Sequence, residues 1–246
     1  MGTGSISSQR LSLFGDIIHK LDLHDEPTDI RQEICLDIAR LMEVDFAATY
    51  RWDAKSSKSE GGWLWNMSES AERDYREYFQ YRDPISSKMR AVKSAVRVNE
   101  VILFEELERT EFWNDFLQRD GLYRGINLFL FDGHRDIGDY RLWRARDRRS
   151  FDEGDIAMLN GIAPHLARAL IRQNSRFEGL TARERDVAHL VSKGCRDQDI
   201  ARILGISPST VRTHLNRALE KRFCANRAEL AVSVSGKSIS PANLHA

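Results

Sequence analysis

Residues 180–230 read LTARERDVAHLVSKGCRDQDIARILGISPSTVRTHLNRALEKRFCANRAEL, a run of short helices each marked by its own punctuation. Thr181-Ala-Arg-Glu184 is a capping box: the threonine hydroxyl accepts from an orphan backbone N–H while Glu184 reaches back to the cap. Val187, Leu190 and Val191 follow on one face at helical spacing. Gly194 suits the left-handed position that closes a helix. Asp197 stands where a cap for a second helix is wanted, and Ile200, Ala201 and Leu204 form that helix's apolar stripe. Gly205 ends it and Ile206 plugs the space between helices. Ser207-Pro208 then opens a third helix, the proline at the first helical position, where its missing N–H costs nothing. Asn226-Arg-Ala-Glu229 sets the cap of a fourth. The order of signals is that of a helix-turn-helix unit, with its core at 197–216.

The third helix sorts its residues by face. Val211, Leu215, Ala218 and Leu219 point inward, and Arg212, Thr213, Asn216 and Arg217 are left outside. Those outer groups suit base edges and phosphates: Arg donates to guanine, Asn pairs with adenine, Thr serves either. In this motif the second recognition helix enters the major groove while the first crosses the backbone. Periodicity alone also fits a plain three-helix bundle with a solvated face.

The segment resembles the C-terminal domain of LuxR-type transcriptional regulators. That family's pattern runs L-T-x-R-E-x-x-V, then G-x-(S/R)-(N/D)-x-(D/E)-I-A-x-x-L-x-I-S-x-x-T-V-(K/R)-x-H. It is met by Leu180, Thr181, Arg183, Glu184, Val187, Gly194, Arg196, Asp197, Asp199, Ile200, Ala201, Leu204, Ile206, Ser207, Thr210, Val211, Arg212 and His214. The family's K-L-G-V is replaced by Lys221-Arg-Phe223-Cys224. The resemblance implies double-stranded DNA as partner, with Arg212, Thr213 and Asn216 at base-contacting positions and Thr210 at a phosphate. It also implies a homodimer, in which the fourth helix supplies a contact, and RNA polymerase as a partner if the protein activates.

Composition agrees with a two-domain soluble protein. The chain has 246 residues, 41% hydrophobic and 30% charged, without an apolar run of membrane-span length and without a signal-peptide core in MGTGSISSQR. Three scattered cysteines, Cys35, Cys195 and Cys224, point to a reducing compartment, so a cytoplasmic location is expected. The formal net charge of zero hides an asymmetry. From Leu180 onward there are 11 Lys plus Arg against 6 Asp plus Glu, and before it 26 against 31. A basic module behind an acidic one suits a DNA reader joined to a domain of another kind.

The preceding chain alternates between periods. Leu11, Phe14, Ile18 and Leu21 mark one helix; Ile30, Ile34, Ile38, Leu41 and Met42 mark a second. Residues 44–52 alternate as a half-buried strand, and a polar loop leads to a short strand at 63–65. An aromatic-rich helix over 68–82 stops at Asp83-Pro84, and another carries Phe112, Trp113, Phe116 and Leu117. Strands at 126–131 and 137–144 form a hairpin around Asp132-Gly133, with 95–98 as a further candidate strand. A long helix from Phe151 to about Asn174 includes Pro164. Helices, antiparallel sheet and helices again define an α+β class: a GAF/PAS-like sheet flanked by helices, then an all-α four-helix helix-turn-helix domain. The expected divisions are 1–175, 176–236 and a flexible tail at 237–246.

Tyr81-Arg-Asp83-Pro84 is similar to the Asp-Pro segment of acyl-homoserine-lactone receptors, where the aspartate accepts a ligand N–H. Gly121-Leu-Tyr-Arg-Gly125-Ile is similar to the glycine element entering their central strand, and Phe112 and Trp113 stand about where aromatics cover the acyl chain. Two features of those receptors are missing: the tryptophan after Asp-Pro, where this chain reads Ala95-Val-Arg-Val98-Asn, and the Trp-x-x-x-Tyr pair before it. These departures speak against a lactone. Trp63, Tyr78, Tyr81, Asp83, Phe112 and Trp113 are the candidate ligand residues, on the principle that small-molecule sites are aromatic walls with a few polar anchors. The same aromatics suit plain core, and Asp83 suits a turn. Arg141, Arg144, Arg146, Arg148 and Arg149 read as alternate positions of an exposed strand running into a solvated loop.

No nucleophile elbow, Gly-rich phosphate loop or His/Cys cluster at metal spacing is present, so no catalytic residue, metal site or cofactor is expected. The alternating pattern also argues against a phosphoacceptor α/β receiver domain. Two further readings stay open: an interaction protein that silences another regulator by heterodimerisation, and a DNA-binding regulator that needs no ligand.

Overall fold

The computed structural model describes residues 7–24, 26, 28–53 and 56–235. The expected tail at 237–246 lies outside them. The chain divides into two compact units: residues up to His24 with Ile30–Leu170, and the short stretch before Ile30 with everything from Ile171 onward.

In the first unit, α1 (Ser8–Leu23) and α2 (Ile30–Leu41) precede β1 (Phe46–Asp53) and β2 (Lys58–Trp65). Next come α3 (Glu69–Glu77), a 3₁₀ turn (Phe79–Tyr81), α4 (Ser86–Val92), β3 (Val96–Arg97), α5 (Val98–Val101), α6 (Phe104–Leu107) and a π-helical turn (Phe112–Leu117). β4 (Arg124–Asp132), β5 (Arg135–Arg144) and α7 (Glu153–Arg176) follow, the residues of α7 from Ile171 onward belonging to the second unit. The strands form one antiparallel sheet in the order β2-β1-β5-β4-β3. Strand β2 begins within the stretch expected to be loop, because Lys58 to Glu60 pair with Asp53 to Arg51 of β1. The helices between Pro84 and Glu111 are too short to show a period.

β5 is the central strand, and the elements packed on each side of the sheet cover both its faces, so every residue from Ile137 to Arg144 is buried. This overturns the reading of Arg141 and Arg144 as exposed. Arg144 and Tyr140 lie on one face; Tyr140 donates to the Arg31 carbonyl of α2 at 3.2 Å, and Arg144 pairs with Asp155 of α7. On the other face, Ala48, Tyr50, Phe129 and Trp143 pack with Tyr75, Phe79, Ile85, Met89, Phe112 and Phe116. Gly125 allows this packing: a Cβ there would lie 2.6 Å from Val98 and 2.7 Å from the Trp143 ring.

The second unit folds as α8 (Ala182–Ser192), α9 (Asp197–Leu204), α10 (Pro208–Lys221) and α11 (Arg227–Val234). Val187, Val191, Ile200, Val211, Leu215, Ala218, Leu230 and Val234 share one core. The expected caps form: Glu184 N donates to Thr181 Oγ1 and Thr181 N to Glu184, Thr210 N donates to Ser207 Oγ, and Glu229 N donates to Asn226 Oδ1. Gly194 and Gly205 take the left-handed conformation, at φ 81° and 64°. Asp197 is not the cap of α9. It sits inside the helix; Arg196 holds the cap position and donates its N–H to Asp199 at 3.4 Å.

Candidate functional site

The outward face of α10 is the first candidate. Its inner residues Val211, Leu215 and Ala218 are buried, which fixes the helix's rotation and leaves Arg212, Thr213, Asn216 and Arg217 exposed together. Thr210, at the first turn, is partly buried, with its hydroxyl 2.8 Å from Ser207 Oγ. Thr213 donates to the Ser209 carbonyl at 3.1 Å.

Asp197, displaced from capping, links three helices instead. It accepts from Arg227 of α11 at 2.7 Å and from Arg212 Nε at 3.4 Å, while the Arg212 side chain stays 75% exposed. The guanidinium is thus aimed without being consumed. Glu184 plays a comparable part behind α10. Burial opposes its ionisation, but Lys221 at 2.7 Å and the Thr181 cap hold its carboxyl below the ordinary value.

Two cavities among the described residues of the first unit could hold a ligand. The smaller, about 30 Å³, lies between the sheet and α3, α4 and the π turn. Its polar wall is a buried network around Arg141, which donates to both Asp139 (2.8 and 3.1 Å) and Ser59 (3.1 Å) and to the Tyr75 hydroxyl, with Asp83 at 3.7 Å. Burial pushes the Tyr50 and Tyr75 hydroxyls well above their ordinary pKa, so both stay protonated donors. Asp83 accepts from the Ile85 and Ser86 N–H groups at 2.8 and 3.0 Å, so it serves as turn residue and cavity wall at once. The Asn127 side-chain oxygen, buried on the same wall, has no hydrogen-bond partner among the described residues. The larger cavity, about 430 Å³, lies around Trp113, Tyr123 and Arg124.

Asp83 and Phe112 line the smaller cavity, and Trp113 lines the larger. Trp63 is half-buried opposite Thr49 in the β1–β2 ladder. Tyr78 and Tyr81 are exposed: Tyr78 donates to Glu111 at 2.8 Å beneath Arg82, and Lys58 stands over the Tyr81 ring. These last three line neither cavity. Sequence reasoning passed over Tyr50, Tyr75, Asn127, Arg141 and Trp143 in the smaller one. The usable signal was the strand parity of Asp139, Arg141 and Trp143, which puts all three on one face.

A sheet-and-helix domain of GAF/PAS type followed by a helix-turn-helix with a polar, basic outer face defines a class: a DNA-binding regulator. Residues 178–234 match the family of bacterial regulatory proteins, luxR family. Residues 178–234 therefore form a LuxR-type helix-turn-helix domain. The chain is 26% identical over 199 residues to the monoamine regulon transcriptional regulator of Klebsiella aerogenes, covering 80% of this chain and 86% of that one. Among solved structures, Escherichia coli SdiA is 19% identical with a TM-score of 0.51, covering 92% of this chain and 97% of SdiA. SdiA in complex with octanoyl-rac-glycerol gives 18% and 0.51, covering 94% of this chain and 97% of SdiA. At these identities the structural likeness is one of fold. Among the described residues no helix is long and apolar enough to cross a membrane.

Proposed function

We propose that the protein binds operator DNA in the cytoplasm as a homodimer and responds to a small organic signal held by its first unit. Arg212, Thr213, Asn216 and Arg217 read base edges in the major groove and Thr210 holds a phosphate. The supporting observation is that these four outer side chains are exposed on one face of a helix whose other face is locked into the core. Contact with RNA polymerase follows if the protein activates.

The signal enters the smaller cavity. Arg141 is neutralised there by Asp139 and Asp83, and Asn127 offers an unused acceptor, so an uncharged molecule with an N–H or O–H donor suits it. SdiA, similar in fold, has been solved in complex with octanoyl-rac-glycerol, which supports a neutral organic molecule as the signal. About 30 Å³ holds only a water or two, so binding requires side chains to move and couples occupancy to the order of the domain.

The test compares full-length protein with a fragment of residues 176–246 on genomic fragments selected by binding. Tight operator binding by the fragment alone makes the first unit a gate, released by its signal. Equal binding, improved in the full chain only through dimerisation, removes the signal from the account. Failure of both moves the heterodimer reading forward.

A further inference from the structure

The larger cavity has a chemistry of its own. It opens between β3, α5, α6, the π turn, the start of β4 and the loop after β5. Strand β3 pairs with β4 only at Asn127 and Ile126, which leaves the Arg124 end of β4 bordering the opening. The floor is apolar: Ile102, Leu107, Trp113 and Phe151 are buried. The rim carries Arg97, Arg124 and Arg146.

Charge on that rim is unbalanced. Arg97 is neutralised by Glu100 and Glu153, each at 2.7 Å. Arg124 is held by neutral acceptors only: the Arg148 carbonyl at 2.7 Å, the Arg146 carbonyl at 3.2 Å and Ser150 Oγ at 3.1 Å. A guanidinium has five N–H donors, so two of its donors remain. The Arg146 guanidinium stands 5.7 Å from the Tyr123 ring centre, and neither Arg124 nor Arg146 has a carboxylate partner among the described residues. Against these two cations the lining supplies one carboxylate, Glu108. A volume of about 430 Å³ falls in the range of small-molecule sites.

We infer that this cavity binds an amphipathic monoanion, an aromatic or short-chain carboxylate. Its apolar body lies on Trp113 and Phe151, and its carboxylate sits between Arg124 and Arg146. Guanidinium groups recognise carboxylates through paired N–H donors, and Arg124 is already fixed by the loop it pins. This site goes beyond the uncharged signal assigned to the smaller cavity and stands whether or not that assignment holds.

The experiment titrates full-length protein calorimetrically with indole-3-acetate, indole-3-acetamide and tryptamine, alike in body and different in charge. The carboxylate should bind at least tenfold tighter than the amide, and the amine should not bind. Arg146→Met should lower carboxylate affinity at least tenfold; the exposed position makes unfolding an unneeded explanation, and an unchanged melting temperature checks this. On protein carrying ¹⁵N-labelled tryptophan, the indole signal of Trp113, assigned with Trp113→Phe, should shift on binding while that of Trp143, in the smaller cavity, stays. Absence of binding at millimolar concentration, equal affinity for acid and amide, an Arg146→Met variant that binds normally, or a shift at Trp143 in place of Trp113 would each overturn the inference.

Discussion

Replacing Asp155 by asparagine keeps the shape of the side chain and removes its charge from a buried ionic knot of the first unit. The carboxylate is fully buried and accepts from Arg149 at 2.7 and 3.1 Å, Arg10 at 2.8 Å, Arg144 at 3.3 Å and the Asp152 N–H at 3.1 Å. Arg149 keeps 42% side-chain exposure and can turn to water, so its lost pair costs about 0–1 kcal/mol, while Arg10, 16% exposed, keeps the Leu41 carbonyl at 3.0 Å. Arg144 has no exposure and keeps its charge. Stranding one member of a buried pair costs about 3–5 kcal/mol. The carbonyls of Met42, Glu43, Arg149 and Ser150 and the Phe151 ring still cushion it, which places the expected loss near the lower end, about 3 kcal/mol. All five tryptophans lie between Trp52 and Trp143, so their fluorescence during urea unfolding reports this unit alone. Burial opposes ionisation of Asp155, yet Arg149, Arg10 and Arg144 hold its carboxyl below the ordinary value. Its contribution is therefore present above the unfolded pKa of about 3.9 and is lost as pH falls through the lower folded value, so the gap between variant and wild type should close in acid. A loss below about 1 kcal/mol at neutral pH would refute the reasoning.

Other substitutions test the remaining parts. Gly125→Ala should destabilise the first unit by about 1–3 kcal/mol, read by the same fluorescence, because its Cβ collides with Val98 and Trp143. Phe223 holds a left-handed backbone at φ 53° with its ring 95% exposed; Phe223→Gly should stabilise the second unit by about 0.5–1 kcal/mol in a melt followed by circular dichroism, and a loss would mean the ring packs on something. Glu184→Gln should weaken the second unit at neutral pH and flatten its acid dependence. The wild type loses the Glu184 contribution as pH drops from about 4.3, since the folded carboxyl titrates lower than the unfolded one, and identical melts at pH 7 would contradict this.

The helix-turn-helix was legible because its determinants are local: caps at Thr181, Ser207 and Asn226, stops at Gly194 and Gly205, and an apolar stripe through Val211 and Leu215. Asp197 was misplaced by one position because its partners, Arg212 and Arg227, come from other helices. Long strands announced themselves by alternation, whereas β3 and the short helices near it contain too few residues to carry a period. The cavities are the least legible in the sequence. Whether an arginine on a strand faces water depends on whether other elements cover that face of the sheet, and the packing of α2 and α7 on one face of β5 and of α3, α4 and the π turn on the other is a fact of tertiary structure. Tyr78 and Tyr81 suit a ligand wall by residue type, but they fall just past the end of α3, outside the core that takes Tyr75 and Phe79.

The most direct measurement is the affinity of full-length protein for its selected operator and for an unrelated duplex, wild type against Arg212→Ala and Asn216→Ala, at two salt concentrations. A base-reading α10 predicts that each variant loses about 1–3 kcal/mol on the operator and far less on the unrelated duplex, with altered preference at one base position. Equal losses on both duplexes would reduce these residues to general electrostatic contacts. Unchanged operator binding in both variants would contradict the assignment of α10 as the helix that reads DNA.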